Sequence, residues 1–430
     1  MQPLKITIQG DYYDCQIYRG RLYLWTFNGE LKVCDWKEIV NSFIKKETDK
    51  IALTFSFLDG NYLYKTSLIE LFKDKDFKKL LLKKFKGVEN KTFTITEKKL
   101  DKYLLGKQDT PSGILPTDTE IYSNKLFFIH EQGLYSSSAH RAKSEKYLVS
   151  SRPKKIWDCN LLSIKANKYP QLALSGGDEG LFELNMAKSQ PKNLERVENK
   201  APIFQISKDH SSYSNYSYLN IYNTSLVENS FLATFKWDIN ESIYGQPKFS
   251  RNFDEKISAE TLFKSKSKRH FVSWGVADKI YQARNGGFDI IKYNNYANPE
   301  KGEEKFQKLQ SVNLQAWKGK VTNGGSAYFG NIVECENALV VLLSDGTIKT
   351  IPGPITRWRV YPRSLNYENH LHVILDDRIE IHSFNQDYFL NQEEKTIGIQ
   401  FKNERPKRNS TVSYFEDTDE SLFENNDLPF

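Results

Sequence analysis

The sequence predicts an all-β fold, a β-propeller of about seven four-stranded blades, and three observations support this prediction. Short apolar runs rich in β-branched and aromatic residues recur along the 430 residues, of which 13% are aromatic. Tight turns join these runs in pairs, as in LALSGGDEGLFEL from Leu172 to Leu184. The turns recur at intervals that average about fifty residues, a spacing typical of propeller blades. The pattern allows six to eight blades, and the alternative is a β-sandwich followed by other all-β pieces.

Eight turn signals predict the hairpins in chain order. Asn28-Gly29 joins RLYLWTF to ELKVCDW and is typical of a type I′ turn. The next signal, Asp59-Gly60, predicts a hairpin between IALTFSFL and NYLYKTS. The alternating run LKITIQ, from Leu4 to Gln9, is expected to complete the last blade beside Ile397 to Phe401. The six remaining signals are Glu131 to Gly133, Gly176 to Gly180, Glu228-Asn229, Asn285 to Gly287, Asp345-Gly346 and Asp376-Asp377.

One segment interrupts the strand pattern, because residues 67–87 have helical spacing. Ser67 and Glu70 form a capping box, and Gly87 is expected to end the helix in the left-handed conformation. The apolar stripe consists of Leu68, Phe72, Phe77, Leu80, Leu81 and Phe85, and lysines occupy most other positions. We interpret residues 67–107 as a basic helical insertion between blades.

Three short sequences resemble those of WD-repeat propellers. Gly176 to Gly180 is similar to the Gly/Asp-rich turn that these repeats carry between their second and third strands. Trp157-Asp158 and Trp237-Asp238 match the dipeptide that names the family, whereas the chain contains no Gly-His dipeptide. The resemblance covers residues 1–402 and implies a scaffold fold without identifying a particular member.

The charge is unevenly distributed along the chain. The formal net charge is +7, but residues 416–430 contain six acidic residues and no basic one, so the preceding residues carry +13. Residues 403–430 are predicted to be a disordered acidic tail. Five apolar residues within it are candidates for a short binding motif, either to a partner or to the protein's own lysine-rich surface: Phe415, Leu422, Phe423, Leu428 and Phe430.

The sequence offers little support for catalysis or for a cofactor. No phosphate-binding loop or hydrolase motif is present, so no catalytic, cofactor-binding or metal-binding residue is predicted. His370 and His372 alternate on one predicted strand, with His382 on the next; we interpret them as a solvated strand face, with a metal site as the alternative.

The four cysteines have no zinc-site spacing and are expected to be mostly buried thiols in a reducing compartment. With no signal peptide or apolar span, the expected location is the cytoplasm.

These observations predict a non-catalytic protein–protein interaction scaffold, a subunit of a larger complex that binds one or more proteins. Binding is expected through propeller loops, the tail and the insertion, with candidate residues Lys78, Lys79, Lys83, Lys84 and Lys86. One alternative is a nucleic-acid-associated propeller, because dense lysines neutralise phosphates. Another alternative is a hydrolase with a carboxylate site in the central channel.

Overall fold

The fold is a seven-bladed β-propeller, which confirms the predicted architecture and blade number. Each blade is built from four antiparallel strands, which follow chain order except in the last blade, where the N-terminal strand is the fourth; two of the sheets carry a fifth strand at one edge. The chain forms two compact units, described separately below. The structure is a computed structural model and describes residues 2–58, 74–139, 149, 152–167, 169–187, 190–241, 247–264, 272–276, 279–284, 286–294, 296–313, 320–364 and 366–389.

The first unit comprises residues 1–115, 140–151 and 326–425. It contains the first blade and the last blade, together with most of the sixth. The strands of the first blade are β2 (Tyr12–Tyr18), β3 (Arg21–Thr26), β4 (Glu30–Asp35) and β6 (Leu104–Asp109). Those of the sixth are β24 (Val321–Ala327), β25 (Gly330–Cys335), β26 (Ala338–Leu343) and β27 (Ile348–Pro352). The last blade consists of β28 (Arg357–Val360), β29 (His370–Leu375), β30 (Arg378–Ser383) and β1 (Leu4–Gln9), with β5 (Phe93–Ile95) at its edge.

The N-terminal strand completes the last blade, as predicted, but with a different partner. β1 pairs antiparallel with β30, so that Leu4 lies opposite Ser383 and Gln9 opposite Arg378. The expected partner, residues 397–401, lies outside the described residues. RIEIHS of β30 alternates as regularly as LKITIQ of β1, and this matched alternation explains the observed pairing.

The second unit comprises residues 116–139, 152–325 and 426–430, and it holds the four middle blades. The second blade consists of β7 (Asp118–Tyr122), β8 (Lys125–His130), β9 (Gly133–Ser138) and β10 (Lys154–Trp157). The third consists of β11 (Ser163–Ala166), β12 (Gln171–Ser175), β13 (Leu181–Asn185) and β15 (Ile203–Ser207), with β14 (Glu195–Arg196) at its edge. The fourth consists of β16 (Tyr213–Ser217), β17 (Asn220–Thr224), β18 (Phe231–Glu241) and β19 (Pro247–Ser258), and a short helix, α5 (Ala259–Phe263), follows. The fifth consists of β20 (Ser273–Val276), β21 (Lys279–Arg284), β22 (Gly287–Tyr293) and β23 (Phe306–Asn313).

Seven of the eight predicted hairpins are confirmed, one in each blade. Six of these turns join the second and third strands of their blade, including Gly176 to Gly180. Asp345-Gly346 instead joins the third strand to the fourth. The two Trp-Asp dipeptides do not mark one repeated position, because Trp157 ends a fourth strand and Trp237 lies within a third.

For the eighth predicted hairpin, at Asp59-Gly60, the prediction of the first strand is wrong. IALTFSFL belongs to a helix, α2 (Glu47–Phe57), and the turn itself and residues 61–67 lie outside the described residues. The buried residues of α2 follow the three- and four-residue spacing of one helical face: Asp49, Ala52, Leu53, Ser56 and Phe57. Packing of this face outweighed the strand propensity of Ile51, Phe55 and Phe57.

The basic insertion is longer than predicted and lies inside the first blade rather than between blades. It begins at α1 (Trp36–Asn41), directly after β4, and continues through α2, α3 (Lys75–Lys86), β5 and α4 (Glu97–Leu100). It ends before β6, so residues 104–107 belong to the blade and not to the insertion. One apolar core joins α1, α2 and α3 to β1, β29 and β30. The insertion is therefore packed into the first unit.

Candidate protein-interaction surface

A buried polar cluster attaches the insertion to the last blade at Ser56 of α2. The Ser56 carbonyl oxygen accepts hydrogen bonds from Ser383 Oγ at 2.7 Å, His370 Nε2 at 2.8 Å and Asn369 Nδ2 at 3.3 Å. Asn385 Nδ2 donates to Ser56 Oγ at 3.0 Å. All five residues are buried. Since buried polar groups are costly to leave unpaired, this cluster fixes the position of α2 on the blade.

Aromatic contacts extend this attachment from α1 to α3. The indole Nε1 of Trp36 donates to the Phe57 carbonyl oxygen at 2.7 Å, and the two rings meet edge to face. On α3, the ring of Phe85 lies 5.5 Å from that of Phe389, in the short helix α6 (Gln386–Phe389) that follows the last blade. Leu81 and Phe85 are both only 1% exposed. The inner face of α3 is thus fixed by packing.

The local sequence explains where α3 begins and ends. The Asp74 carboxylate caps its first turn by accepting from the backbone amides of Phe77 at 2.8 Å and Asp76 at 3.1 Å. The predicted capping box of Ser67 and Glu70 lies outside the described residues, as do Leu68 and Phe72. Gly87 follows the helix with φ −67°, so the expected left-handed end is wrong, and the chain continues in right-handed turns instead.

The exposed lysines of α3 form one stripe. Lys75, Lys79, Lys83 and Lys86 are separated by four, four and three residues, which places them on one helical face. Asp76 is the acidic residue beside this lysine stripe and pairs with Lys79 at 3.3 Å. Among the described residues, no carboxylate forms an ion pair with the other three lysines. The lysine stripe is therefore a compact cationic surface.

The candidate lysines divide into two groups. Lys79, Lys83 and Lys86 lie on the lysine stripe, whereas Lys78 and Lys84 are half-buried. Lys78 Nζ lies 5.0 Å from the centre of the Tyr388 ring, and burial lowers the pKa of this ammonium group. Lys75, which also lies on the stripe, was not among the predicted candidate residues. Lysines near the C-terminus of a helix also favour its dipole, which gives Lys83 and Lys86 a structural role as well.

An apolar residue lies within reach of the lysine stripe. Leu80 was expected to belong to the buried side of the helix, but 48% of its surface is exposed. It follows Lys79 directly and lies three residues before Lys83. The apolar stripe predicted for this helix is thus narrower than expected, because the core accommodates only Leu81 and Phe85 fully, with Phe77 partly buried beside them. The outer face of α3 combines positive charge with one apolar contact point.

The second unit carries an exposed aromatic patch that sequence reasoning missed. We define it by Tyr169, Tyr218, Trp237, Ile239 and Tyr296. The rings of Tyr169 and Trp237 lie 5.6 Å apart, and the backbone amide of Trp237 donates to Tyr296 Oη at 3.3 Å. Tyr218, Ile239 and Tyr296 are 44%, 66% and 55% exposed. The sequence signal for this patch is the spacing of Trp237 and Ile239, two residues apart on one face of a strand. It was missed because the strand was predicted to end at Trp237.

The three candidate metal-binding histidines do not form a site. His370 and His372 share one face of β29, but His382 pairs with Leu371 and therefore lies on the opposite face. All three are buried, so the interpretation as a solvated face is wrong. His372 Nδ1 lies 3.2 Å from Tyr361 Oη and 3.4 Å from Cys15 Sγ, and His382 Nε2 lies 3.1 Å from the Glu380 carboxylate. The part of the chain that the structure describes contains no group of three residues suited to hold a metal ion.

Two buried carboxylates have arginine partners. Asp14 accepts from Arg359 Nη2 at 2.7 Å and Nε at 3.0 Å, within the first unit. In the second unit, Glu183 accepts from Arg251 Nη1 with both oxygens at 2.8 Å. The Asp14–Arg359 pair is bidentate, whereas the remaining Arg251 nitrogens, Nε and Nη2, donate to the Leu219 carbonyl oxygen. These carboxylates serve the packing of the blades that carry them.

Comparisons with known proteins concern the fold. No protein-family model matches the chain, and no curated protein sequence matches it. Similar solved structures include BBS1N in complex with ARL6DN, at 11% identity and a TM-score of 0.43, covering 89% of this chain and 96% of that one. The Neurospora crassa Pan2 WD40 domain has 9% identity and a TM-score of 0.43, covering 91% of each chain. BamB from Moraxella catarrhalis has 12% identity and a TM-score of 0.34, covering 85% of this chain and 80% of that one. These similarities carry no conclusion about function.

The helices in the described part of the chain are too short or too polar to cross a bilayer. The predicted tail residues Phe415, Leu422, Phe423, Leu428 and Phe430 lie outside the described residues.

Proposed function

We propose that this protein is a non-catalytic protein–protein interaction scaffold and a subunit of a larger complex. The observation that carries the proposal is α3, whose inner face is fixed in the core of the first unit while its outer face presents the lysine stripe and Leu80. Positioning a surface in this way reduces the ordering cost of binding. The fold supplies a rigid support, and its loops and the tail supply further contacts.

The chemistry of the two surfaces indicates what they would bind. The lysine stripe fits an acidic protein segment with an apolar side chain that meets Leu80. The aromatic patch fits a largely uncharged protein surface, since exposed tyrosine and tryptophan side chains are enriched where proteins bind one another. Two surfaces of different character suit a subunit that contacts more than one protein.

The proposal includes the absence of catalysis and a cytoplasmic location. The buried titratable groups described above have roles in packing: Asp14 and Glu183 pair with arginines, and His370 binds the Ser56 carbonyl oxygen. The four cysteines are free thiols, which is typical of a reducing compartment.

Affinity purification of the tagged full-length protein tests the proposal. One variant replaces Lys75, Lys79, Lys83 and Lys86 with Gln, and a matched control replaces four other exposed lysines of the same insertion, Lys37, Lys98, Lys99 and Lys102. We expect stoichiometric partner proteins with the wild type and the control, and at least about tenfold less of one partner with the first variant, equivalent to about 1.4 kcal/mol. A protein that purifies alone, or a loss that is equal in both variants, would contradict the proposal.

The lysine stripe also supports a second candidate, nonspecific binding to nucleic acid. Four lysines on one face can contact phosphates, but no arginine or aromatic residue is interleaved with them to stack on bases. This candidate predicts salt-sensitive binding to RNA. On a plot of the logarithm of the binding constant against the logarithm of the salt concentration, the slope should be about −0.7 for each phosphate contacted. The variant lacking the four stripe lysines would lose this binding. No binding at low salt would exclude it.

A further inference from the structure

We propose that residues 415–424 of the acidic tail bind the lysine stripe of α3 in the same chain. This inference rests on the proposed function, in which the lysine stripe binds an acidic partner protein. In the absence of that partner, the tail would occupy the stripe. The tail would then act as an internal competitor, and a partner that uses the stripe would have to displace it.

The first support is the place where the described chain ends. α6 follows the last blade and lies against α3: the Phe389 ring contacts Phe85, and the Tyr388 ring lies under the ammonium group of Lys78. Tyr388 and Phe389 pack against the same apolar core as α3. The described chain therefore ends, at Phe389, beside the basic helix and not at a distant surface.

The second support is the length of the connection. Twenty-five residues, 390–414, separate Phe389 from Phe415, and a chain of this length spans at most about 90 Å when fully extended. The twelve residues of α3 measure only about 18 Å along the helix axis. The tail thus has ample length to return to any lysine of the stripe. Binding within one chain would be independent of the protein concentration, unlike binding between two copies.

The third support is complementary charge. Residues 409–424 contain no basic residue, and their five acidic residues are Glu416, Asp417, Asp419, Glu420 and Glu424. The stripe offers four lysines, of which three form no ion pair with a described carboxylate. Each exposed pair contributes little by itself, but several charges along one helix act together.

The fourth support is the matching apolar content. Phe415, Leu422 and Phe423 flank or interrupt the acidic residues, and Leu80 is exposed beside the lysine stripe. Burying an aromatic or leucine side chain against Leu80 would remove apolar surface of both from water. An acidic segment without apolar residues would leave Leu80 exposed, so the composition of the tail suits this particular helix.

Zero-length carbodiimide cross-linking of the full-length protein, followed by peptide mapping, tests the proposal without any partner protein. We expect intramolecular amide cross-links between residues 416–424 and the stripe lysines. Their yield should be the same in dilute and concentrated protein, and it should fall severalfold at high salt, where exposed charges are screened. Replacement of Phe415, Leu422 and Phe423 by Ser should reduce the yield at low salt, because the apolar contact with Leu80 is lost.

Lysine variants show whether the cross-links are specific. The Gln control at Lys37, Lys98, Lys99 and Lys102 should keep the cross-links from residues 416–424 to α3. Cross-links distributed evenly over all exposed lysines would overturn the proposal. Cross-links that join two chains and increase with protein concentration would show binding in trans and would overturn it as well.

A partner, once purified, distinguishes this proposal from the proposed function. If residues 403–430 are removed, a partner of the lysine stripe should bind severalfold more tightly, because its internal competitor is gone. If the partner binds the full-length and shortened chains equally, the proposal fails while the scaffold function remains. If cross-links to α3 form but no partner is captured, the proposed function fails while the contact within the chain remains.

Discussion

His370 shows how a single residue couples the helical insertion to the acidity of the solution. Its Nε2 atom donates to the Ser56 carbonyl oxygen, and its Nδ1 atom has no hydrogen-bond partner in the described structure. Complete burial lowers the pKa of the imidazole to about 4, so the folded protein holds this side chain neutral. In the unfolded chain the same group titrates near its ordinary pKa of 6.5.

This difference predicts that acid destabilises the folded protein. Between about pH 6.5 and pH 4 the unfolded state binds a proton at His370 that the folded state does not, so the free energy of unfolding decreases as the pH falls. At about pH 5 the loss from this residue is on the order of 2 kcal/mol relative to neutral pH. Urea unfolding followed by tryptophan fluorescence at pH 7 and at about pH 5 measures it.

A His370→Gln variant is the matched control for this prediction. The Gln side chain can still donate to the Ser56 carbonyl oxygen, but it does not titrate. We expect a smaller dependence of stability on pH in this variant, with part remaining because burial also lowers the pKa of His372. An unchanged dependence would show that other groups cause the acid sensitivity.

At the scale of elements, a glycine recurs where the third strand begins. In the second, third and fifth blades, Gly133, Gly180 and Gly287 lie so close to the fourth strand that a Cβ atom would overlap a carbonyl oxygen there. At Gly180 the oxygen belongs to Ser207, and the backbone also has φ +106°, which side chains disfavour. These glycines are required by close approach of two strands, and this explains why the hairpin signals were visible in the sequence.

Gly180→Ala is expected to be more destabilising than an alanine at a turn with open surroundings. Gly346 has φ +82° and no atom within 4 Å of the Cβ position, so Gly346→Ala should cost only the backbone strain of about 1–2 kcal/mol. Gly180→Ala adds the displacement of the β15 carbonyl group and should lower the free energy of unfolding by clearly more. Equal effects in urea unfolding would contradict the close approach as the reason for glycine.

The elements that the sequence did not predict are those that depend on distant partners. IALTFSFL has the composition of a strand, and α2 forms because Ser56 and Phe57 meet the last blade and α1. In the same way, the burial of His370 depends on the insertion, whose Ser56 carbonyl oxygen it contacts, and no local pattern indicates this. The hairpins were predictable because their turns and alternation are local. The lysine stripe was partly predictable from helical spacing, but Leu80 was not, because its exposure depends on how the helix is rotated against the core.

At the scale of the whole molecule, β1 joins distant parts of the first unit. It pairs antiparallel with β30 on one side and parallel with β5 of the insertion on the other. Ile6 and Ile8 are completely buried in the core that also contains the helices of the insertion. A substitution that weakens β1 should therefore destabilise both the last blade and the insertion.

Ile6→Ala tests this dependence. The loss of a buried isoleucine should lower the free energy of unfolding by about 2–5 kcal/mol. Hydrogen exchange should increase together in β5 and β30, whereas the exposed control Gln9→Ala should leave both unchanged. Faster exchange in β30 alone would show that the insertion is held independently of β1.

The pairing of β1 with β30 also has a consequence for biosynthesis. Gln9 lies opposite Arg378, so a ribosome must add roughly 370 residues after β1 before its partner exists, which takes roughly 20 to 75 seconds at ordinary rates of translation. During that time the edge of β1 that will pair with β30 lacks its neighbour, and unpaired edges promote association between nascent chains. We therefore expect the yield of native protein from cells to depend on chaperones that act on nascent chains.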